Sequence, residues 1–144
     1  MNNKGMGALG EKMALEHLKK NGYEVLAKNC KFAGAELDIV AKLPVKTQKK
    51  QIKKEYKESE VKSKTALDCR LSALKDILVF IEVKYSSTKV FGEPEERVTD
   101  AKRKQIIKGA EMFIYKNKLL MPVRFDVISI VGAELNHIVN AFTE

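Results

Sequence analysis

The chain has 144 residues, of which 44% are hydrophobic and 32% charged, as expected for one globular domain spanning 1–144. No apolar stretch approaches the roughly 18 residues of a membrane span, and the first five residues lack a secretory signal, so we expect a cytoplasmic protein with no membrane partner. Lys and Arg outnumber Asp and Glu by 27 to 19, and the net charge of +8 is typical either of a protein with polyanionic partners such as nucleic acid or simply of a soluble basic protein.

The pattern of apolar residues predicts two helices and five strands. Charged and apolar side chains separate onto two sides of a helix over residues 6–21, and a similar spacing recurs over 98–117. β-branched and aromatic residues mark the predicted strands, which are 23–32, 35–43, 77–84, 123–131 and 137–142.

These elements follow in the order α-β-β-β-α-β-β, which predicts an α/β fold with a central five-stranded sheet. The second helix is long enough to serve as a crossover connection. Strands three and four are therefore predicted to pair in parallel, which would make the sheet mixed.

Residues 44–76 form a Lys-rich segment between strands two and three. The segment holds ten basic and five acidic residues, so it supplies +5 of the net +8 and leaves +3 for the rest. It shows no sustained periodicity, and we predict a loop or insertion with room for one short helix. Such a segment can wrap a nucleic-acid backbone, but a solvated, mobile charge run is the favoured interpretation.

Charged residues follow apolar ones at the ends of two predicted strands. Five large apolar residues, 77–81, lead directly into Glu82 and Lys84, which lie on one side of a strand. The second strand carries Glu36 and Asp38 in a similar position. Because buried charges cost several kcal/mol unless they are paired or bind a metal, these strand ends are candidate functional positions.

Two carboxylates on adjacent strands have the chemistry of a magnesium site. With the Val83 carbonyl, Asp38 and Glu82 would form a minimal cradle for a hard cation that activates water in phosphodiester hydrolysis. Lys84 would then position the water or stabilise developing negative charge. The alternative is an interstrand salt bridge in which Lys84 neutralises one of the carboxylates.

Other charged residues have equally good structural explanations. Glu11 lies on the apolar face of the first helix, either as a third carboxylate of the site or as a first-turn glutamate favoured by the helix dipole. His17 is assigned no functional role, and Glu36 is predicted to support the site from outside or to face solvent. For Arg124 and Asp126 a structural ion pair is the favoured interpretation.

Three further patterns carry little functional weight. Residues 5–10 match GxGxxG, but no strand precedes them, so a dinucleotide site is rejected. Cys30 and Cys69 lack metal-ligand spacing and are predicted free thiols. Arg97, Lys104 and Lys108 can touch phosphates from the second helix or simply form its solvated face.

Taken in order, a series of motifs resembles the YraN-like family of uncharacterised bacterial proteins. That family is similar to archaeal Holliday-junction resolvases and to the wider PD-(D/E)xK nuclease group. The resemblance covers nearly the whole chain outside residues 44–76. The motifs are Gly7 to Ala14, Gly22-Tyr23, Gly34 to Ala41, Phe80 to Lys84, Phe91-Gly92, Val98 with Lys102, and Arg124 to Val127.

The resemblance implies a restriction-endonuclease-like core and a specific set of site residues. Glu11, Asp38 and Glu82 would be acidic ligands of Mg²⁺ or Mn²⁺, and Lys84 would be the catalytic lysine. Lys102 joins the candidate nucleic-acid contacts. The chain departs from the family pattern at Ala35, where a second glycine is usual, and in the long segment 44–76, which replaces a short hairpin.

Two classes of function follow from these patterns. The favoured one is a magnesium-dependent endonuclease acting on DNA, with branched or damaged DNA as candidate substrates and a homodimer as a compatible assembly. The alternative is a non-catalytic module that binds nucleic acid or protein and retains the nuclease fold. A folding or assembly partner ranks last, because it leaves the buried charges unexplained.

Overall fold

A computed structural model describes residues 3–32, 34–60, 62–87 and 98–144. These residues form four helices and five strands, and the five strands make one sheet. In chain order they are α1 (Asn3–Lys20), β1 (Glu24–Phe32), β2 (Ala35–Leu43), α2 (Val45–Glu58), α3 (Lys64–Ser72), β3 (Ile77–Ser86), α4 (Asp100–Asn117), β4 (Val123–Val131) and β5 (Glu134–Phe142).

The sheet is mixed and its strands lie in chain order from β1 to β5. The neighbours pair antiparallel except for β3 and β4, which are parallel and joined through α4. This confirms the predicted α/β class, the five strands and the parallel pair. The largest shift in a strand boundary is in β5, which begins three residues earlier than predicted.

The prediction of a loop over residues 44–76 was wrong, because the segment contains α2 and α3. Only Gln48 and Ile52 of α2 are buried, and no residue of α3 is buried. The helical period therefore depends on very few positions, and one of them is polar. Such a weak pattern is hard to distinguish from a solvated lysine run in the sequence.

Each face of the sheet packs against one long helix. Ile106, Ala110 and Phe113 of α4 join a buried cluster with Phe80 and Phe125 on one face. On the opposite face, α1 packs into a second cluster through residues of both partners, namely Ala14, Leu18, Ile39, Ile81 and Ile128. Alternation along β3 therefore directs Glu82 and Lys84 toward the α4 face, the side of Phe80.

The glycines of the GxGxxG match lie within α1, which agrees with the rejection of a dinucleotide site. Gly10 is buried where α1 crosses β3, and a Cβ added there would lie 2.9 Å from the Cβ of Tyr85. Glycine thus allows the close approach of the helix to the strand. Among the described residues, no helix is long and apolar enough to cross a membrane.

Candidate metal and phosphate site

Asp38 lies where the pairing between β2 and β3 ends. The paired positions run as far as Ile39 and Ile81, and beyond them the Asp38 Oδ2 accepts a hydrogen bond from the Val83 backbone N–H at 2.9 Å. Leu37 packs on the α4 face and Ile39 on the α1 face, so the regular alternation of side chains is interrupted at Asp38. The side chain can therefore reach sideways toward β3.

Glu82 is the buried centre of the site. It is 4% exposed, and its Oε1 lies 3.3 Å from the Lys84 Nζ and 3.6 Å from the Lys102 Nζ. Both lysine side chains remain about one-third exposed. A buried carboxylate is therefore flanked by two ammonium groups that can also reach a ligand arriving from solvent.

Asp38 carries an unusually high proton affinity for an aspartate. Burial, followed by the negative charge of Glu82, raises the pKa of Asp38 to about 7. Interaction with the Glu82 side chain adds to this rise, while the Val83 N–H and the charge of Lys102 lower the pKa of Asp38. The two carboxyl groups are thus close enough to disfavour having both ionised, which a nearby cation would relieve.

Lys102 reaches the site from the first turn of α4. Thr99 caps this helix by accepting a hydrogen bond from the Lys102 backbone N–H at 3.2 Å. The partial positive charge of the helix N-terminus therefore lies on the same side of the sheet as Glu82. Together, the helix end and the two lysines make this region attractive to an anion such as phosphate.

Glu11 is held toward the edge strand β1. Its Oε2 accepts a hydrogen bond of 3.3 Å from the side chain of Asn29, which adopts a left-handed backbone conformation with a φ of 51°. Among the described residues, no group of three or more His, Cys, Asp or Glu side chains is arranged to hold a metal ion. A role for Glu11 as a third ligand stays a prediction.

The remaining predicted positions lie around this centre or outside the described residues. Glu36, Lys104 and Lys108 are exposed, the last two on α4. Val83 contributes its N–H to Asp38, and its carbonyl as a metal ligand stays a prediction. Arg97 lies outside the described residues, as does the Phe91-Gly92 motif.

Arg124 and Asp126 form the structural ion pair that was predicted. Asp126 is fully buried, and both of its oxygens accept hydrogen bonds from Arg124, at 2.8 and 2.7 Å. The Asn140 N–H and the His137 Nε2 complete its partners, at 3.0 and 2.7 Å. His17 continues this chain of contacts through its Nε2, which lies 3.0 Å from the His137 Nδ1.

Two placements were missed by the sequence interpretation. Lys102 was expected to contact nucleic acid, and its contact with Glu82 depends on how α4 packs on the sheet. His137 was not singled out, although it joins α1 to the buried Asp126. It lies 120 residues from His17, and no local pattern in the sequence indicates that pairing.

Comparison with known proteins places these residues in a widespread but uncharacterised group. Residues 10–130 match the model of the uncharacterised protein family UPF0102. A UPF0102 protein of Clostridioides difficile strain 630 is 37% identical over 99% of this chain and 100% of its own. One from Trichlorobacter lovleyi is 34% identical over 97% and 91%, and one from Geobacter metallireducens is 31% identical over 99% and 95%.

Proposed function

We propose that this chain, which belongs to the uncharacterised protein family UPF0102, is a metal-dependent endonuclease that hydrolyses phosphodiester bonds in DNA. The observation that carries the proposal is the placement of Asp38 and Glu82 on two adjacent paired strands, where burial and the nearby buried Glu82 raise the pKa of Asp38. Lys84 and Lys102 flank the same pair.

The donor set fits a small, hard cation. Magnesium in proteins is commonly held by one or two carboxylates and keeps several water molecules, so Asp38 and Glu82 are sufficient protein ligands. A raised pKa, as at Asp38, is expected where carboxylates lie close together without a cation. A cation bound beside them would favour the ionised form and lower that pKa. Mn²⁺ prefers similar ligands and fits the same pair.

Each residue of the site then has a distinct part in the reaction. Asp38 and Glu82 would hold Mg²⁺, which would supply positive charge to acidify water and polarise a phosphate oxygen. Lys84 stabilises negative charge developing on the phosphate, because its ammonium group lies at the ligand carboxylate and is still accessible. Lys102, at the N-terminus of α4, holds the incoming phosphate.

The resemblance to Holliday-junction resolvases narrows the class of proposed substrates. It suggests branched or damaged DNA, which is why flap and four-way structures belong in any substrate panel. This choice of substrate and a homodimer both stay predictions.

A non-catalytic nucleic-acid-binding module is the second candidate function. The observation that favours it is the pairing of Glu82 with two lysines, which neutralises the carboxylate without a metal. This alternative predicts that DNA is bound and never cleaved. The two functions are therefore separated by a single cleavage assay.

Asp38→Asn is expected to abolish DNA cleavage, with a loss of at least about a hundredfold, because a metal ligand and its negative charge are removed. The assay incubates the purified protein with labelled duplex, flap and four-way DNA in Mg²⁺ or Mn²⁺ and separates the products on denaturing gels. Lys84→Met should lower the rate comparably while leaving metal binding in place.

The matched control is Glu36→Gln, which removes a carboxylate from the same strand two positions before Asp38. Glu36 is exposed, so this variant should cleave at the wild-type rate. Cleavage that survives Asp38→Asn would show that the nuclease site lies elsewhere. Absence of cleavage by the wild-type protein on every substrate would favour the non-catalytic module.

A further inference from the structure

An open groove of about 900 Å³ lies between the end of α1 and the exposed side of α2. Asn21, Gly22, Thr47 and Gln51 contribute to its walls, and the other lining residues are all lysines. These are Lys20, Lys46, Lys50, Lys53, Lys54 and Lys57. None of the described residues that line the groove is acidic.

The lysines are displayed from an anchored helix. The Thr47 hydroxyl donates to the Gly22 carbonyl at 2.9 Å, which fixes the start of α2 to the end of α1. The buried Gln48 side chain donates to the carbonyls of Leu43 and Lys75, at 3.1 and 2.7 Å, which joins α2 to the sheet end and to the chain before β3. The expectation of a mobile charge run is therefore replaced by a surface of defined position.

The positive charge of the groove is not neutralised within the described part of the chain. Glu55 of α2 lies 3.5 Å from Arg70 of α3, so this carboxylate is turned away from the groove. Of the ion pairs among the described residues, none includes a groove lysine. Six ammonium groups along one surface repel each other, and a polyanion would relieve that repulsion.

We propose that the groove lysines bind the phosphate backbone of nucleic acid at a second surface, separate from the carboxylate site. From Lys46 to Lys57 the helix extends about 17 Å, a length that holds about five phosphates of one strand of B-DNA. Lys46, Lys50, Lys54 and Lys57 recur at helical spacing, so they form one continuous row.

The groove and the carboxylate pair lie toward opposite ends of the sheet. Asp38 is five residues along β2 from Leu43, about 17 Å in an extended strand, and α2 begins just beyond Leu43. A nucleic acid that touches both surfaces must extend along or around the domain. The proposal rests on the proposed function for the nature of the partner and adds a contact that does not require catalysis.

The test is the salt dependence of DNA binding by Lys50→Gln/Lys54→Gln. Anisotropy of a labelled duplex of about 24 base pairs is measured in EDTA, which prevents metal-dependent cleavage, between about 50 and 200 mM salt. We expect affinity to fall about tenfold and the slope of log K against log salt to shrink by about two, since each phosphate contact contributes about 0.9.

The matched control is Lys49→Gln/Lys64→Gln, which removes the same charge from exposed lysines that do not line the groove. It should bind DNA nearly as the wild type does. An equal loss of DNA affinity in the two variants would show that the effect comes from net charge, which would overturn the groove as a binding site. Thermal melts of both variants establish that each is folded.

Other outcomes separate this inference from the proposed function. Groove-dependent binding in a protein that cleaves nothing would overturn the nuclease function and leave the groove in place. If the protein cleaves DNA and both lysine variants bind DNA equally, the nuclease function is supported and the groove is overturned as a binding site. Groove-dependent binding to phosphatidylserine vesicles, with no binding to DNA, would also overturn the inference, because the polyanion would then be a lipid surface.

Discussion

Asp38→Asn is expected to raise the free energy of unfolding at about pH 8, by up to about 4 kcal/mol, while it removes activity. The pKa of Asp38 is raised from 3.8 to about 7 by burial and by Glu82, so the ionised side chain destabilises the folded protein. Asparagine has no charge to bury and can still accept the Val83 N–H bond. The site would thus lower stability in return for chemistry.

The direction of the pH dependence follows from the raised pKa. Between about pH 4 and pH 7 the folded wild-type protein binds a proton at Asp38 more tightly than the unfolded chain does, so its stability falls as the pH rises through this window. Asp38→Asn lacks this proton. The excess in free energy of unfolding of Asp38→Asn over the wild type should therefore be absent below about pH 4, grow up to about pH 7 and stay constant above it.

Urea unfolding of both proteins across this range measures the difference, and Glu36→Gln is the control. Glu36 is exposed on the same strand, so its variant should follow the wild-type curve. Added Mg²⁺ should shrink the advantage, since a cation bound to the wild type stabilises only that protein. A lower stability of Asp38→Asn at about pH 8 would contradict the described environment of the carboxylate.

Asp126→Asn is expected to destabilise the protein by about 3–5 kcal/mol, the usual effect of breaking a buried ion pair. Asp126 is fully buried and accepts hydrogen bonds from Arg124, His137 and the Asn140 amide. An asparagine would turn an N–H group toward some of these donors and leave the Arg124 charge unpaired. Thermal or urea unfolding at neutral pH measures the loss.

Lowering the pH should reduce the difference in free energy of unfolding between the wild type and Asp126→Asn. Burial alone would raise the pKa of Asp126, but the hydrogen bonds from His137, Arg124 and the Asn140 amide outweigh it and lower the pKa. The stabilisation is therefore present above about pH 4 and is lost as the pH falls through the lowered value. A constant difference down to about pH 2 would argue against an ionised Asp126.

The matched control for this substitution is Asp100→Asn. The Asp100 side chain is 92% exposed, and its Oδ1 lies 3.9 Å from the Arg103 Nη1 one helical turn away. A surface pair of this kind contributes at most about 1 kcal/mol, even at a helix N-terminus. Equal effects of the two substitutions would show that the buried network around Asp126 does not determine stability.

The sequence predicted the sheet and the central carboxylate pair because both depend on local patterns. A run of five apolar residues followed by Glu82 indicates a buried strand that becomes polar along its length, and the strand of Asp38 likewise combines charged and apolar residues. The two strands pair antiparallel through Ile39 and Ile81, which brings Asp38 and Glu82 close together. The two long helices were therefore predicted from helical spacing, and the five strands from their β-branched and aromatic residues.

Features that depend on contacts between distant segments were not accessible in the same way. Lys102 meets Glu82 only because α4 packs on the face of the sheet toward which Glu82 points. The contact between His17 and His137 depends on α1 packing on the face of the sheet to which His137 belongs, and neither residue carries a local signal. The helices α2 and α3 escaped prediction because they bury too few side chains to impose a period on the sequence.

Titration calorimetry with Mn²⁺ tests the central claim most directly, because it requires no knowledge of the substrate. At about pH 8 the wild-type protein and Glu36→Gln should each bind one ion, and Asp38→Asn should bind none. At about pH 6 wild-type affinity should fall by about tenfold, since a proton occupies Asp38 below its pKa of about 7. Absence of binding by the wild type, or equal binding by Asp38→Asn, would contradict a metal site at Asp38 and Glu82.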